Sequence, residues 1–530
     1  MIMNKNKTVP QSWLILFFLT TFLLVFINLG IRPFFGVEGR WAEAVREMIL
    51  RKDWFVPTIN FEPHLTKPLV PFWLIKLSAL IFQKINEGIV RFPGALCGFF
   101  SVFLFYFLSK RFFKYPYDLI STGLFFTSWG FLEFSRLAQS EIFQLFGIIW
   151  ALTAYIYYRE KISFTGYFLF WLGIIWGALS KGHTAFAVML PAFFIEIVLN
   201  KRFYHLNWKN LLAFLIAFTL YIFPFLKTAS EIHSDLPFYL LFKENLKQAI
   251  NPYDNLRPFY IYLYYWPIWI APWSLFLIGA IYYSLRYFKN LNTDEKFIFL
   301  SNLAIFIIFT LAKARRGYYI LPILPYTILL VVYYLQNPSS QILKKLYFKL
   351  SYIFPIILIL CPLILLKLKL ASSLPGILIY LPPFLGVFSF LLILLLKNEK
   401  VFFRLILQVA LIELIFFGFV QPYFSSASEK ETGNFIAKIK KQNPDYKICS
   451  YSPFGKPVAN VYFYAGLNKR IPDYKILEEA LSNCGVLIVR KKLDSKLKSI
   501  VSKQNLKVYS FKAKKDKSKS YYIILLSKSF

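Results

Sequence analysis

The sequence predicts an all-α polytopic membrane protein that ends in a small α/β domain, and three observations carry that expectation. Hydrophobic residues make up 57% of the 530 residues and aromatics 20%, with a mean hydropathy of +0.52, against roughly 45–50% apolar residues in a soluble chain. Apolar runs near the ~20 residues that a helix needs to cross hydrocarbon recur through most of the chain. After Gln421 the composition turns polar and Lys-rich. A water-soluble fold is excluded. The net charge of +34 does not imply nucleic acid, because Lys and Arg beside apolar spans set topology and meet anionic membrane lipids. Four cysteines exclude a disulfide-built scaffold.

The first run, Trp13 to Gly30, follows Lys5 and Lys7 and shows no small-x-small cleavage site before Arg32 and Pro33. It reads as a retained signal anchor with the N-terminus inside. Further spans are expected near 89–108, 118–133, 140–158, 164–180, 183–199, 209–227, 258–286, 295–312, 318–335, 350–368, 376–396 and 402–420, about thirteen helices with the first. The segment Pro68–Phe82 is short, opens with prolines and carries Lys76 in its middle. If it does not span, the loops Ser109–Tyr117, Arg159–Lys161, Asn200–Lys209, Arg286–Lys296, Lys344–Lys349 and Lys397–Lys400 all fall inside, as the positive-inside rule prefers. Counting it as a span inverts every one.

The expected organisation is therefore a transmembrane domain over 1–420 in the cell inner membrane, with an outer loop at 32–87 holding two membrane-surface helices, and a soluble extracytoplasmic domain over 421–530. In the loop, Trp41, Val45, Met48 and Ile49 share one helical face, and Glu47, Arg51 and Lys52 read as a solvated one. In the tail, strands are expected at Lys447–Tyr451, Asn460–Tyr464, Gly485–Val489, Leu506–Phe511 and Tyr521–Leu526, with helices at Lys430–Lys441 and Tyr474–Asn483. Spacing leaves a Cys449–Cys484 disulfide open, because sequence does not supply the Cα separation. Cys97 and Cys361 sit in spans, as core.

Residues able to do chemistry gather in the expected outer loops: Glu38 and Arg40, then His64, Thr66 and Lys67, then Arg136 and Glu141, then Lys181 and His183, then Asp235 to Arg257, then Lys313, Arg315 and Arg316. Cations and carboxylates converging at one membrane face suit an amphiphile with a phosphate head. The plain alternative for Lys67 is a snorkelling interfacial lysine.

Four blocks in order, VEGRWAEAVREM…DWFVPTINFEPHLTKPLVPFWL (Val37 to Leu74), RLAQSEIFQLF (Arg136 to Phe146), WGALSKGHTAFAVMLPAF (Trp176 to Phe193) and RRGYYILPILPYTILL (Arg315 to Leu330), resemble the lipid-linked sugar transferases of GT-C fold, in the aminoarabinose transferase and protein mannosyltransferase group. The resemblance covers about residues 10 to 340. It implies an enzyme, an inverting glycosyltransferase that takes a sugar from a polyprenyl (undecaprenyl) phosphate donor and passes it to a lipid or protein acceptor outside the inner membrane, such as lipid A. Lys67 matches the family's phosphate-binding lysine, and Arg40 and Tyr319 match positions near the donor head group. Arg136, Lys181 and Arg316 are further candidate substrate contacts. Glu38 and Glu141 are the candidate catalytic carboxylates.

The departures bear on mechanism. Val37 stands where the family has its catalytic Asp, leaving Glu38, and Thr66 and Asn245 stand where the aminoarabinose transferases have a Glu and a His associated with a metal. No zinc and no other cofactor is expected. A hydroxyl acceptor needs a base, whereas a phosphate acceptor is already ionised; Val37 favours the anionic acceptor. Sugar identity and the choice between lipid and protein acceptor stay open. The rival classes are a transporter and a noncatalytic assembly protein. Against transport, the chain shows no internal repeat, and Glu196 and Glu413 are its few acids deep in spans.

Overall fold

Helices follow the apolar runs almost segment for segment in the computed structural model, which describes residues 10–253, 255–367, 376–396, 401–423, 428–451, 458–490, 499–500, 502–503, 506–511 and 521–525. Lys5, Lys7 and the loop Lys397–Lys400, whose charges bear on topology, lie outside the described residues. The first helices are α1 Gln11–Phe26, α2 Glu38–Leu50, α3 Val70–Ile81, α4 Glu87–Phe112, α5 Tyr117–Phe126, α6 Trp129–Ser135, α7 Ser140–Tyr158, α8 Phe164–Lys181, α9 Thr184–Asn200 and α10 Trp208–Ile232. Longer helices follow at Thr293–Leu311, Leu324–Gln336, Gln341–Lys367, Gly376–Leu395 and Val401–Ile415. Among the described residues six helices are long and apolar enough to cross a membrane, or seven with one bent pair taken as a single span, and shorter apolar helices accompany them. Length and composition alone thus return fewer spans than the thirteen expected.

Two expected spans are broken. The run at 118–133 divides into α5 and α6, and that at 258–286 into Ile261–Ile270 and Ser274–Arg286, bent by 118°. Pro272 lies in the second break and has no N–H to continue a helix. The breaks answer each other: the Trp129 N–H donates to the Ala271 carbonyl at 2.9 Å, and the Trp273 indole donates to the Thr127 hydroxyl at 3.1 Å. Backbone groups released from helices are thereby satisfied inside protein, as an apolar surround demands.

The chain divides into two compact units, Met1–Leu29, Thr66–Val70 and Phe92–Gln421 as the first, and Gly30–Leu65, Pro71–Arg91 and Pro422–Phe530 as the second. Composition marks the tail boundary, but most of the loop at 32–87 groups with the tail.

In the first unit α7 and α8 pack at backbone contact. A Cβ on Gly147 would stand 2.6 Å from the Gly173 carbonyl oxygen and 2.7 Å from the Gly177 nitrogen, and one on Gly173 would stand 2.5 Å from the Ala151 nitrogen. Small residues four apart on both helices permit that approach, the usual device of helix pairs in lipid. Near the far end of this pair, Glu196 is fully buried and accepts from Tyr155, Arg202 and Asn200. Glu413 is buried in Val401–Ile415, and among the described residues its Oε2 has no hydrogen-bond partner.

In the second unit a five-stranded sheet has the order β4-β3-β5-β7-β6, from β3 Ile448–Tyr451, β4 Asp473–Tyr474, β5 Val486–Arg490, β6 Lys507–Phe511 and β7 Tyr521–Leu525, after a short hairpin of β1 Thr58–Ile59 and β2 Glu62–Pro63. β3 lies parallel to β4 and β5, while β7 runs antiparallel to β5 and β6. The expected strand at 460–464 is instead the helix Ala459–Ala465, stopped by Gly466 in the left-handed region. Cys449 and Cys484 form a disulfide with Cα atoms 5.9 Å apart. Arg46 of α2 donates to the Leu467 carbonyl at 2.7 Å, and Asn60 exchanges two 2.8 Å hydrogen bonds with the Ile471 backbone.

This packing corrects the reading of α2. Arg51 and Lys52 are exposed as expected, but Glu47 is fully buried and accepts from the Thr58 hydroxyl and, at 2.9 Å, the Phe61 N–H. A helix covered by the folded tail has no solvated acidic face. In α3, 12 residues long, Lys76 turns inward to the Asp53 carbonyl at 2.7 Å and stands 4.1 Å from the Trp54 ring centre. Leu77, Leu80 and Ile81 are left exposed, the apolar face a membrane-surface helix needs.

Candidate functional site

The close-packed pair α7 and α8 determines which candidates meet. Its register sets Gly147 between Gly173 and Gly177; six residues further toward one end, the same register sets Glu141 against Lys181. Lys181 Nζ is 3.4 Å from Glu141 Oε1, and both side chains are nearly buried. The Lys181 ammonium also stands 4.8 Å from the Tyr319 ring centre and 5.5 Å from that of Tyr318, within cation–π range. Lys67 and Arg316 lie close enough for their charges to act on Lys181. Arg316 donates to the Tyr318 hydroxyl at 2.7 Å and to Asn255 Oδ1 at 2.5 Å. Lys67, Lys181, Arg316, Tyr318, Tyr319 and Glu141 thus share one neighbourhood of the first unit.

Local structure places each of them. α8 ends at Lys181 because Gly182 follows with φ +111°, a conformation that suits glycine. His183 precedes α9. After the helix Thr293–Leu311, the Lys313 N–H donates to the Ala249 carbonyl at 2.8 Å and the Arg315 N–H to the Asn255 carbonyl at 2.9 Å. That pairing leads into the 3₁₀ segment Gly317–Ile323, which carries both tyrosines.

Other candidates have surroundings of their own. Arg136 is a cap: its guanidinium donates to the carbonyls of Leu24, Val25, Ile27 and Phe417 at 2.6–3.1 Å, covering the C-terminal end of α1. Glu38 belongs to the second unit, fully buried, where Arg91 grips both of its oxygens at 2.8 Å and the Phe35 N–H adds a third bond. Arg40, half-buried, lies in the first turn of α2.

Among the described residues no group of three or more His, Cys, Asp or Glu could hold a metal ion. Thr66 and Asn245, where the resemblance places ligands, offer a hydroxyl and an amide, and Asn245 uses both ends of its amide, accepting from the His183 N–H and donating to the Leu241 carbonyl, each at 2.8 Å. This donor set does not fit zinc. Sequence reasoning missed Tyr318, although it stands beside Tyr319 in the 3₁₀ segment Gly317–Ile323. It also missed the Gly147/Gly173/Gly177 spacing that pairs Glu141 with Lys181.

Residues 66–226 match the profile of the dolichyl-phosphate-mannose-protein mannosyltransferase family. The undecaprenyl phosphate-alpha-4-amino-4-deoxy-L-arabinose arabinosyl transferase of Photorhabdus laumondii is 27% identical over 61% of this chain and 58% of its own length. An uncharacterized protein of Aquifex aeolicus is 27% identical over 61% of this chain and 64% of its own. The chain thus spans less than two thirds of these relatives. The crystal structure of ArnT from Cupriavidus metallidurans bound to undecaprenyl phosphate superimposes with a TM-score of 0.74 over 98% of this chain and 99% of that one, at 15% identity. The chain is thus similar in sequence to undecaprenyl phosphate aminoarabinose arabinosyl transferases over part of its length, and it shares the fold of ArnT.

Proposed function

We propose that the protein is an inverting glycosyltransferase that moves a sugar from a polyprenyl phosphate donor, undecaprenyl phosphate in bacteria, to lipid A or another envelope glycolipid at the outer face of the inner membrane. The observation that carries this reading is the gathering of Lys67, Lys181 and Arg316 with two tyrosines around Glu141. Sugar transfer breaks the bond from the anomeric carbon to the donor phosphate. The leaving phosphate needs no proton, so cations and phenolic hydroxyls stabilise the departing charge. Lys67, Lys181, Arg316 and Tyr319 take that role.

Glu141, paired with Lys181, is the carboxylate of the cluster and takes the acceptor proton where the acceptor is a hydroxyl. Glu38, committed to Arg91, serves structure. With Val37 in place of an acid, a phosphate acceptor remains favoured, and the aminoarabinose relatives favour a pentose over a hexose. No cofactor enters the scheme. The orientation proposed puts the N-terminus in the cytoplasm and the disulfide-bearing tail outside, where thiols oxidise.

The test is to incubate purified protein with undecaprenyl phosphate sugars and with lipid A, its dephosphorylated form and a Ser/Thr peptide, and to identify products by mass spectrometry. A glycosylated peptide would move the acceptor to protein, the reading that the matched mannosyltransferase profile supports. Absence of product from every pair, with donor bound, would sink the enzyme reading.

A further inference from the structure

Asn245 stands at an unusual place in the backbone. The helical stretch from Leu236 to Ile250 is interrupted over Lys243–Lys247 by a π-helical turn, a rare feature that re-aims side chains and often marks functional sites. The turn sends the Asn245 amide to the end of α8. Its Oδ1 accepts the His183 N–H at 2.8 Å, while its Nδ2 donates to the Leu241 carbonyl at 2.8 Å within its own turn. The amide also fills the space beside Gly182: a Cβ there would stand 2.2 Å from Oδ1 and 3.1 Å from Cγ. One side chain therefore both bonds the turn Gly182–His183 and packs against it, where φ +111° already favours glycine. Lys181, the residue before that turn, is the cation that meets Glu141, Tyr318 and Tyr319.

We infer that Asn245 is a positioning residue for the donor phosphate, holding the turn after α8 so that Lys181 stays at the cation cluster. The inference rests on the function proposed above. It gives the outer segment 236–250 a defined task, set by a hydrogen bond and van der Waals contact with no metal ligand involved. Asparagine fits this task because it accepts from a backbone N–H and donates within its own turn at once. Aspartate keeps the acceptor; alanine keeps neither function.

The experiment compares wild type, Asn245→Ala and Asn245→Asp, purified in nanodiscs, by hydrogen exchange of the peptide containing His183, by affinity for undecaprenyl phosphate and by thermal unfolding. Losing one such hydrogen bond should raise His183 exchange and the Kd for undecaprenyl phosphate by about two- to tenfold in Asn245→Ala. Asn245→Asp should restore both, and all three should melt alike. Unchanged His183 exchange in Asn245→Ala overturns the lock. Faster exchange with unchanged affinity overturns the positioning role. Wild-type protein that binds no undecaprenyl phosphate instead overturns the proposed function, while the exchange comparison still reads the lock by itself.

Discussion

Glu38 and Arg91, 53 residues apart in sequence, meet in a two-pronged ion pair from which water is excluded, each nitrogen–oxygen distance being 2.8 Å. Removing one partner of such a pair leaves an uncompensated buried charge, which costs about 3–5 kcal/mol. Arg91→Ala should therefore destabilise the second unit by about that amount, read as earlier proteolysis of residues 30–91 in a denaturant series. Lysine cannot reproduce the fork, so Arg91→Lys should recover little.

The same geometry separates the two candidate carboxylates. Glu141→Gln should lower turnover of a hydroxyl acceptor, counted per folded molecule, by roughly 10²–10⁴. Glu38→Gln should lower the folded fraction, with near-normal turnover per folded molecule. Normal stability and abolished turnover in Glu38→Gln would return catalysis to that residue.

On the function proposed, Lys67→Ala would remove a charge-assisted contact worth about 1.5–3 kcal/mol, so affinity for undecaprenyl phosphate should fall at least about tenfold. Lys52, exposed on the second unit, is the control, and Lys52→Ala should change affinity little. Equal losses from both would mean that general surface charge holds the lipid.

Burial pushes the Glu43 carboxyl up from 4.5 to about 7, the Arg46 fork opposing and Glu47 adding to the rise. A raised carboxyl favours folding while it is protonated, so this contribution is complete below about pH 4.5 and is lost as pH rises through about 7. Thermal unfolding of the wild type should accordingly drop between pH 5 and 8. Glu43→Gln, neutral throughout, should flatten that decline, whatever its offset; an identical slope would remove Glu43 as its source.

If the tail lies outside the cytoplasm, Cys449 and Cys484 should resist alkylation in cells until a reductant is added, as read by mass spectrometry. A reporter active only outside should light up when fused after Glu87 and stay dark after Asn207. Free thiols in the native tail, or a dark Glu87 fusion, would reverse the orientation.

Helix positions were legible because apolar runs obey a length set by hydrocarbon, and three of the four sequence blocks supply residues that meet around Glu141 and Lys181. Partners were less legible. Lys76 looks like a flaw in a span until it is seen to reach the Asp53 carbonyl. Arg136 looks like a substrate contact until four carbonyls claim it. Periodicity reports which face of a helix is apolar; it carries no information on what covers the polar face, here the Thr58 hydroxyl and the Phe61 N–H of the same loop, and that is why Glu47 read as solvated. The Glu141–Lys181 meeting is different, since glycine spacing on two neighbouring helices encodes it.

The second unit is assembled from segments that the ribosome releases far apart in time. The Phe34 N–H finds its acceptor, the Tyr464 hydroxyl, 430 residues later, and Glu87 finds Lys430 after 343. At about 5–20 residues per second, the stretch Phe92–Gln421 that intervenes takes on the order of 15–70 s to synthesise. Throughout that interval Glu43, Arg46 and Glu87 wait without the tail partners that will cover them. The early loop is thus a nascent half-fold, and a chain that stops short of the tail leaves it permanently unfinished.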